Sequence, residues 1–138
     1  MTPADITPSV YGIGVDIVET ARIASSIERF GDRFLNRIFT QAERDYCASM
    51  RYPDRHYAAR FAAKEAVSKA FGTGIGPHGG WRDIEILRRD TGAPRIQLHG
   101  PAADLAIKLR ITETFISLSH SDHYAVANAL LMSRQGNT

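Results

Sequence analysis

At 138 residues the chain fits one domain with a core of useful size, and its length argues against two. With 43% apolar and 23% charged residues, lasting disorder is excluded over most of its length. A net charge of +2 is too small for the basic footprint of a nucleic-acid-binding domain, so nucleic acid is not an expected partner.

The first ten residues, MTPADITPSV, have neither a basic flank nor an apolar run. They read as a flexible tail over 1–10, ahead of a single domain over 11–132, and not as a secretion signal or anchor. Next, YGIGVDIVE alternates Ile13, Val15 and Ile17 with Gly12, Gly14 and Asp16. Period two predicts a strand whose buried face carries the three apolar residues. The other face is stripped of side chains as far as Asp16. Glycine inside a strand marks the close approach of a ligand or of another backbone.

Thr20 is the expected N-cap of a helix, TARIASSIERF, that stops at Gly31. A short helix follows through Ile38, and Thr40 then opens TQAERDYCASM with Glu43 in the capping-box position. Between residues 22 and 37, Arg22, Arg29, Arg33 and Arg37 stand against Glu28 and Asp32. That local excess suits an acidic partner or a solvated helix face. Pro53 begins the longest helix, PDRHYAARFAAKEAVSKAF, which is rich in alanine and closed by Gly72.

GTGIGPHGG has too many glycines for regular structure and reads as a loop. It follows a helix and leads into a strand, so a phosphate-cradling P-loop is excluded. WRDIEILRR and RIQLHG form a hairpin through a turn at Asp90–Pro94, and a helix runs from about Pro101 to Arg110. ETFISLSH and HYAVANALLM are two further strands with Ser121 and Asp122 at their turn. The longest apolar stretch, AVANALLM, is too short to span a bilayer, so no membrane association is expected. Cys47 is the only cysteine, which excludes an intrachain disulfide and suits a cytoplasmic setting. The predicted class is α+β: a mostly antiparallel sheet packed against one long helix.

Three polar residues stand out against this framework. Asp16 is out of place in a strand interior, where it serves either as a ligand or as a hydrogen-bond acceptor. Glu65 is four residues before Lys69, the favourable order for a surface ion pair. Yet its neighbours Ala62, Ala63 and Ala66 suggest open space around it. Arg60 and Lys64 lie on an adjoining stripe, so carboxylate and cations line neighbouring faces. Such a surface suits a phosphate ligand bridged by magnesium, with Asp and Glu as oxygen ligands. His120 ends a strand, as a structural hydrogen-bonder or a catalyst. Its neighbour Ser119 points to the opposite face, which excludes a serine-histidine hydrolase pair.

YGIGVDIVETARI, RFAAKEAVSKAFGTGIG, the DIEIL strand with its GAP turn, and SLSHSDHYAVA together resemble the holo-acyl-carrier-protein synthase family of small 4'-phosphopantetheinyl transferases. The likeness runs in order from Tyr11 to Leu131. It implies the 4'-phosphopantetheinyl transferase fold and transfer of phosphopantetheine from coenzyme A to a serine of an acyl carrier protein, in support of fatty acid biosynthesis. By the same resemblance Asp16 and Glu65 bind Mg2+, Asp16, Glu65 and Lys69 are the catalytic set, Arg60, Lys69 and His120 contact coenzyme A phosphates, and Arg22 with the arginines after it meets the carrier protein. Candidates for general base are Glu65, Glu43 or a metal-bound water. The stretch SMRYPDRH departs from the family pattern, leaving Arg51 and Arg55 without an assignment. The resemblance further implies a homotrimer with sites between subunits.

Overall fold

The computed structural model describes residues 7–134. Along them run β1 (Ser9–Glu19), α1 (Thr20–Phe30), α2 (Asp32–Ile38), α3 (Gln41–Ser49), α4 (Pro53–Phe71), β2 (Ile84–Arg88), β3 (Pro94–Leu98), α5 (Gly100–Lys108), β4 (Ile111–His120) and β5 (Tyr124–Ser133). A single helical turn, Trp81–Asp83, precedes β2. The class is α+β with antiparallel pairing throughout, but the strands form two sheets instead of one. β1, β5 and β4 pair in that order, and β2 with β3 makes a separate hairpin.

The burial predicted for β1 is reversed. Ile13, Val15 and Ile17 are 68%, 55% and 65% exposed, while Gly14 and Val18 on the other face are buried. The reason is the way α4 crosses the three-stranded sheet. A Cβ on Gly12 would lie 1.9 Å from the Ala70 carbonyl oxygen, and one on Gly14 would lie 1.8 Å from that of Ala66. Helix backbone therefore rests directly on strand backbone, an approach that only glycine permits. The alanines predicted to leave open space do the opposite: Ala62, Ala63 and Ala66 are fully buried in this contact layer. Small residues on the inner face of β5, namely Ala125, Ala127 and Ala129, complete it.

Helix ends follow local chemistry. Thr40 and Glu43 make the predicted capping box, and Gly72 closes α4 in the left-handed conformation (φ 83°). Thr20 is not an N-cap. It is the first residue of α1, and its backbone N–H instead donates to the His123 carbonyl at 2.8 Å. Three boundaries move as well. β1 takes Ser9 and Val10 from the tail predicted over 1–10, of which residues 1–6 lie outside the described set; α5 runs from Gly100 to Lys108; and β4 begins at Ile111.

A buried polar brace joins α3, α4 and the hairpin. Lys64 and Glu43, both fully enclosed, pair at 2.8 Å, and Lys64 Nζ also donates to the Trp81 and Ile84 carbonyls at 3.0 and 2.7 Å. Burial pulls the proton affinity of Lys64 down and Glu43 partly restores it. The ammonium form alone uses all three contacts. Glu43 is likewise saturated: Oε1 accepts from the Thr40 N–H and Oε2 from the Ile86 N–H. Every polar atom of the brace is thus satisfied, as a buried pair requires. Cys47 packs nearby, its thiol pushed up to about 12, chiefly by burial.

Candidate active site

Because Gly12 and Gly14 share a face with Asp16, the contact that seats α4 on β1 also delivers Asp16 to that helix. Lys69 Nζ donates to Asp16 Oδ1 at 2.9 Å and to the Val15 carbonyl at 3.2 Å. The surface ion pair with Glu65 that the spacing allows does not form. Lys69 pairs with Asp16 across the two elements and leaves Glu65, one turn earlier, without a hydrogen bond to its carboxylate among the described residues. Glu65 holds its proton more tightly than an ordinary carboxyl. Burial is the main cause and the Asp16 charge the second, against opposition from Lys69 and Arg22. Two carboxylates that sense one another, one without a donor, form an acceptor-rich spot flanked by cations.

That donor set suits a hard divalent cation. Mg2+ takes one or two carboxylates and keeps substrate oxygens and waters in its other positions. Asp16 is mostly enclosed while Lys69 is half exposed, so the ammonium can turn toward an incoming phosphate. Arg22 lines a cavity of about 170 Å3 with Glu19, Ile17 and Tyr124, and its charge reaches Glu65. Asp16, Glu65, Lys69 and Arg22 thus share the β1 side of the sheet.

Arg60 and His120 lie elsewhere. They line a second cavity of about 170 Å3 on the β4 side, together with Tyr46, His56 and Arg88. Arg60 is only 4% exposed. Its guanidinium lies over the Tyr46 ring, 4.1 Å from the centroid, and its buried Nε–H finds no acceptor among the described residues. Arg88 flanks the same ring at 4.9 Å and donates to the Tyr46 hydroxyl at 2.8 Å. Among the described residues no carboxylate lines this cavity. Lys64, predicted to add its charge to the Arg60 stripe, does not, because it turns inward to Glu43. Arg55 is taken up by Asp122 at 2.8 Å.

Glu43 is removed as a general base, being buried with both carboxylate oxygens occupied. Sequence reasoning missed His56 and Arg88. His56 was within reach, since it stands four residues before Arg60 on one helix face. Arg88 was not, because only the fold brings the hairpin to α4. A third cavity, about 260 Å3 between α1 and α2, is lined by Ser26, Phe30, Arg33, Phe34 and Arg37. It turns part of the basic segment into a defined apolar groove with a cationic rim.

Known proteins resemble this chain in sequence and in fold. The family model of the 4'-phosphopantetheinyl transferase superfamily matches residues 12–129. A holo-[acyl-carrier-protein] synthase of Natranaerobius thermophilus is 47% identical over 90% of this chain and 98% of its own. Among solved structures, a holo-[acyl-carrier-protein] synthase from Neisseria meningitidis superposes with a TM-score of 0.83 at 32% identity, covering 89% of this chain and 98% of its own. One from Bacillus anthracis in complex with CoA (3',5'-ADP) gives 0.73 at 37% identity, covering 90% and 97%.

Proposed function

Because the chain belongs to the 4'-phosphopantetheinyl transferase superfamily, we propose that it transfers the 4'-phosphopantetheine group from coenzyme A to a serine of an apo acyl carrier protein. The observation that carries this assignment is the convergence of Asp16, Glu65 and Lys69 where α4 rests on the glycine face of β1.

The serine oxygen attacks the phosphorus that bears pantetheine. A new P–O bond forms as the bond to the nucleotide side of the diphosphate breaks, and adenosine 3',5'-bisphosphate leaves. Asp16 and Glu65 would hold Mg2+, which neutralises the diphosphate and the charge that grows on the leaving group. With the cation bound, Lys69 would give up Asp16 and turn its ammonium onto a phosphate oxygen. With Glu43 enclosed, Glu65 is the carboxylate candidate for general base that stays accessible. On the β4 side, Arg60 and His120 hold the remaining phosphate charge of coenzyme A. Arg22 and the groove rimmed by Arg33 and Arg37 receive the acidic face of the carrier protein, with Phe30 and Phe34 offering it apolar contact.

The working form is a homotrimer with sites between subunits. Two features support this. Ile13, Val15, Ile17, Phe115 and Tyr124 leave a large apolar area open on the outer sheet face. In addition, the two half-sites occupy opposite edges of the same sheet, β1 and β4, so a ring that joins unlike edges completes each site from neighbouring copies. Among the described residues no helix is long and apolar enough to cross a membrane. A cytoplasmic enzyme that supplies holo carrier protein for fatty acid synthesis fits these features.

The test is intact-mass analysis of apo carrier protein incubated with the chain, coenzyme A and Mg2+. Gain of one phosphopantetheine supports the assignment. An unmodified carrier overturns it, and release of nucleotide without transfer would point to a phosphoesterase.

A further inference from the structure

The cavity on the β4 side contains more than the phosphate contacts assigned above. His56 and His120 meet there edge to face, ring centroids 4.9 Å apart, and the edge of Tyr46 closes on His56 from the other side at 5.7 Å. The groups that face His56 are Arg55 and Arg60 from α4, Arg88 from β2, Tyr46 from α3 and His120 from β4. All of the charged ones are cationic, and among the described residues Arg55 alone is paired to a carboxylate, that of Asp122 at 2.8 Å. One of them, Arg60, is almost wholly buried and keeps an N–H without an acceptor.

Resting on the function proposed above, we infer that His56 is a further ligand-binding residue, and that it takes up a proton when a phosphomonoester dianion settles in this cavity. The geometry explains why. The two rings meet edge to face, and among the described residues no hydrogen bond links them. Surrounding guanidinium groups disfavour a further positive charge, and the proton affinity of His56 is held below its usual value by burial, then by His120, Arg60, Arg88 and Arg55. A phosphomonoester brings about two negative charges near neutral pH. Its arrival reverses the sign of the local field, meets the orphaned Arg60 N–H, and makes an imidazolium the better neighbour.

Coenzyme A carries one phosphomonoester, at its 3' position, apart from the diphosphate. It has no other group of that charge density. An all-cation pocket without carboxylates suits this group, whereas the diphosphate suits the metal-competent carboxylates on the β1 side.

The sign follows from linkage. Protonation favours the complex, so affinity falls as pH rises from the free-state pKa of His56 toward its value in the complex. The test is calorimetric titration of the protein with coenzyme A, and with 3'-dephospho-coenzyme A, at about pH 7 in buffers of different ionisation enthalpy. The expected result is uptake of up to about one proton per coenzyme A, with affinity weakening by as much as about tenfold per pH unit through this range. Dephospho-coenzyme A should show neither effect. His56→Gln should cut the uptake and flatten the pH dependence for coenzyme A, while leaving dephospho-coenzyme A binding near wild type. Coenzyme A binding without proton uptake overturns the inference while sparing the functional assignment, as does equal uptake with the dephospho compound or undiminished uptake in the variant. Failure to bind coenzyme A at all overturns both.

Discussion

Adding one methyl group at Gly14 should disable the site without touching any polar residue. The Cβ of Gly14→Ala would stand 1.8 Å from the Ala66 carbonyl oxygen, whereas an ordinary carbon-oxygen contact needs about 3.3 Å. The obstacle is helix backbone, which has no rotamer to change. α4 must therefore retreat from β1 by about 1.5 Å, the difference between these distances. Overpacking typically costs 1–3 kcal/mol, and a rigid backbone obstacle places this variant near the upper end, at about 3 kcal/mol. For a chain of this length that lowers Tm by about 10 °C. The same retreat carries Glu65 and Lys69 away from Asp16, and a misplacement of about 1 Å costs on the order of a hundredfold in rate. Gly76→Ala is the control, because a Cβ there meets nothing within 4 Å. Calorimetric melting and intact-mass rate assays on both variants decide the matter. A Gly14→Ala protein with wild-type Tm and rate would refute the idea that backbone contact at this glycine positions the site.

Glu43→Gln should destabilise the fold by about 3–5 kcal/mol in urea titration, because it strands the buried Lys64 ammonium. Loss of activity at unchanged stability would instead restore Glu43 as a candidate base. Glu65→Gln should keep the fold and lose most Mg2+-dependent turnover. Since the Glu65 pKa is raised in the folded state, its contribution to stability is present at acid pH and lost as pH rises through that pKa. The Gln variant should therefore melt at or above wild type at pH 7.5 and lose that advantage on acidification; a lower Tm at pH 7.5 would contradict the direction of the shift. Arg22→Glu should raise the KM for carrier protein by roughly tenfold, with strong salt dependence, and leave coenzyme A affinity near wild type. Equal loss of both would indicate a damaged cleft.

Element types were legible because local signals agreed with the fold: the Thr40–Glu43 capping box, the alanine-rich run between Pro53 and Gly72, and alternation in the strands. Which face of β1 is buried was not. Alternation shows that a strand has two unlike faces, but it was the helix backbone that took the glycine face and left Ile13, Val15 and Ile17 outside. Lys69 illustrates the same limit. Spacing along α4 pointed to Glu65, whereas the strand passing beneath supplied Asp16 at shorter range. Lys64 and Arg60 share a stripe in sequence, yet the first is drawn into the brace with Glu43 and the second faces a cavity. Arg88 belongs to a hairpin whose docking against α4 no local pattern encodes.

We propose that Asp16 and Glu65 form one cation site that the coenzyme A diphosphate completes. Mn2+ binding followed by water-proton relaxation, with and without coenzyme A, tests this directly in the wild type, Asp16→Asn and Glu65→Gln. The wild type should bind Mn2+ weakly alone and at least tenfold more tightly with coenzyme A, and each variant should lose that gain. Undiminished coenzyme A-dependent Mn2+ binding in both variants would place the cation elsewhere and contradict the account.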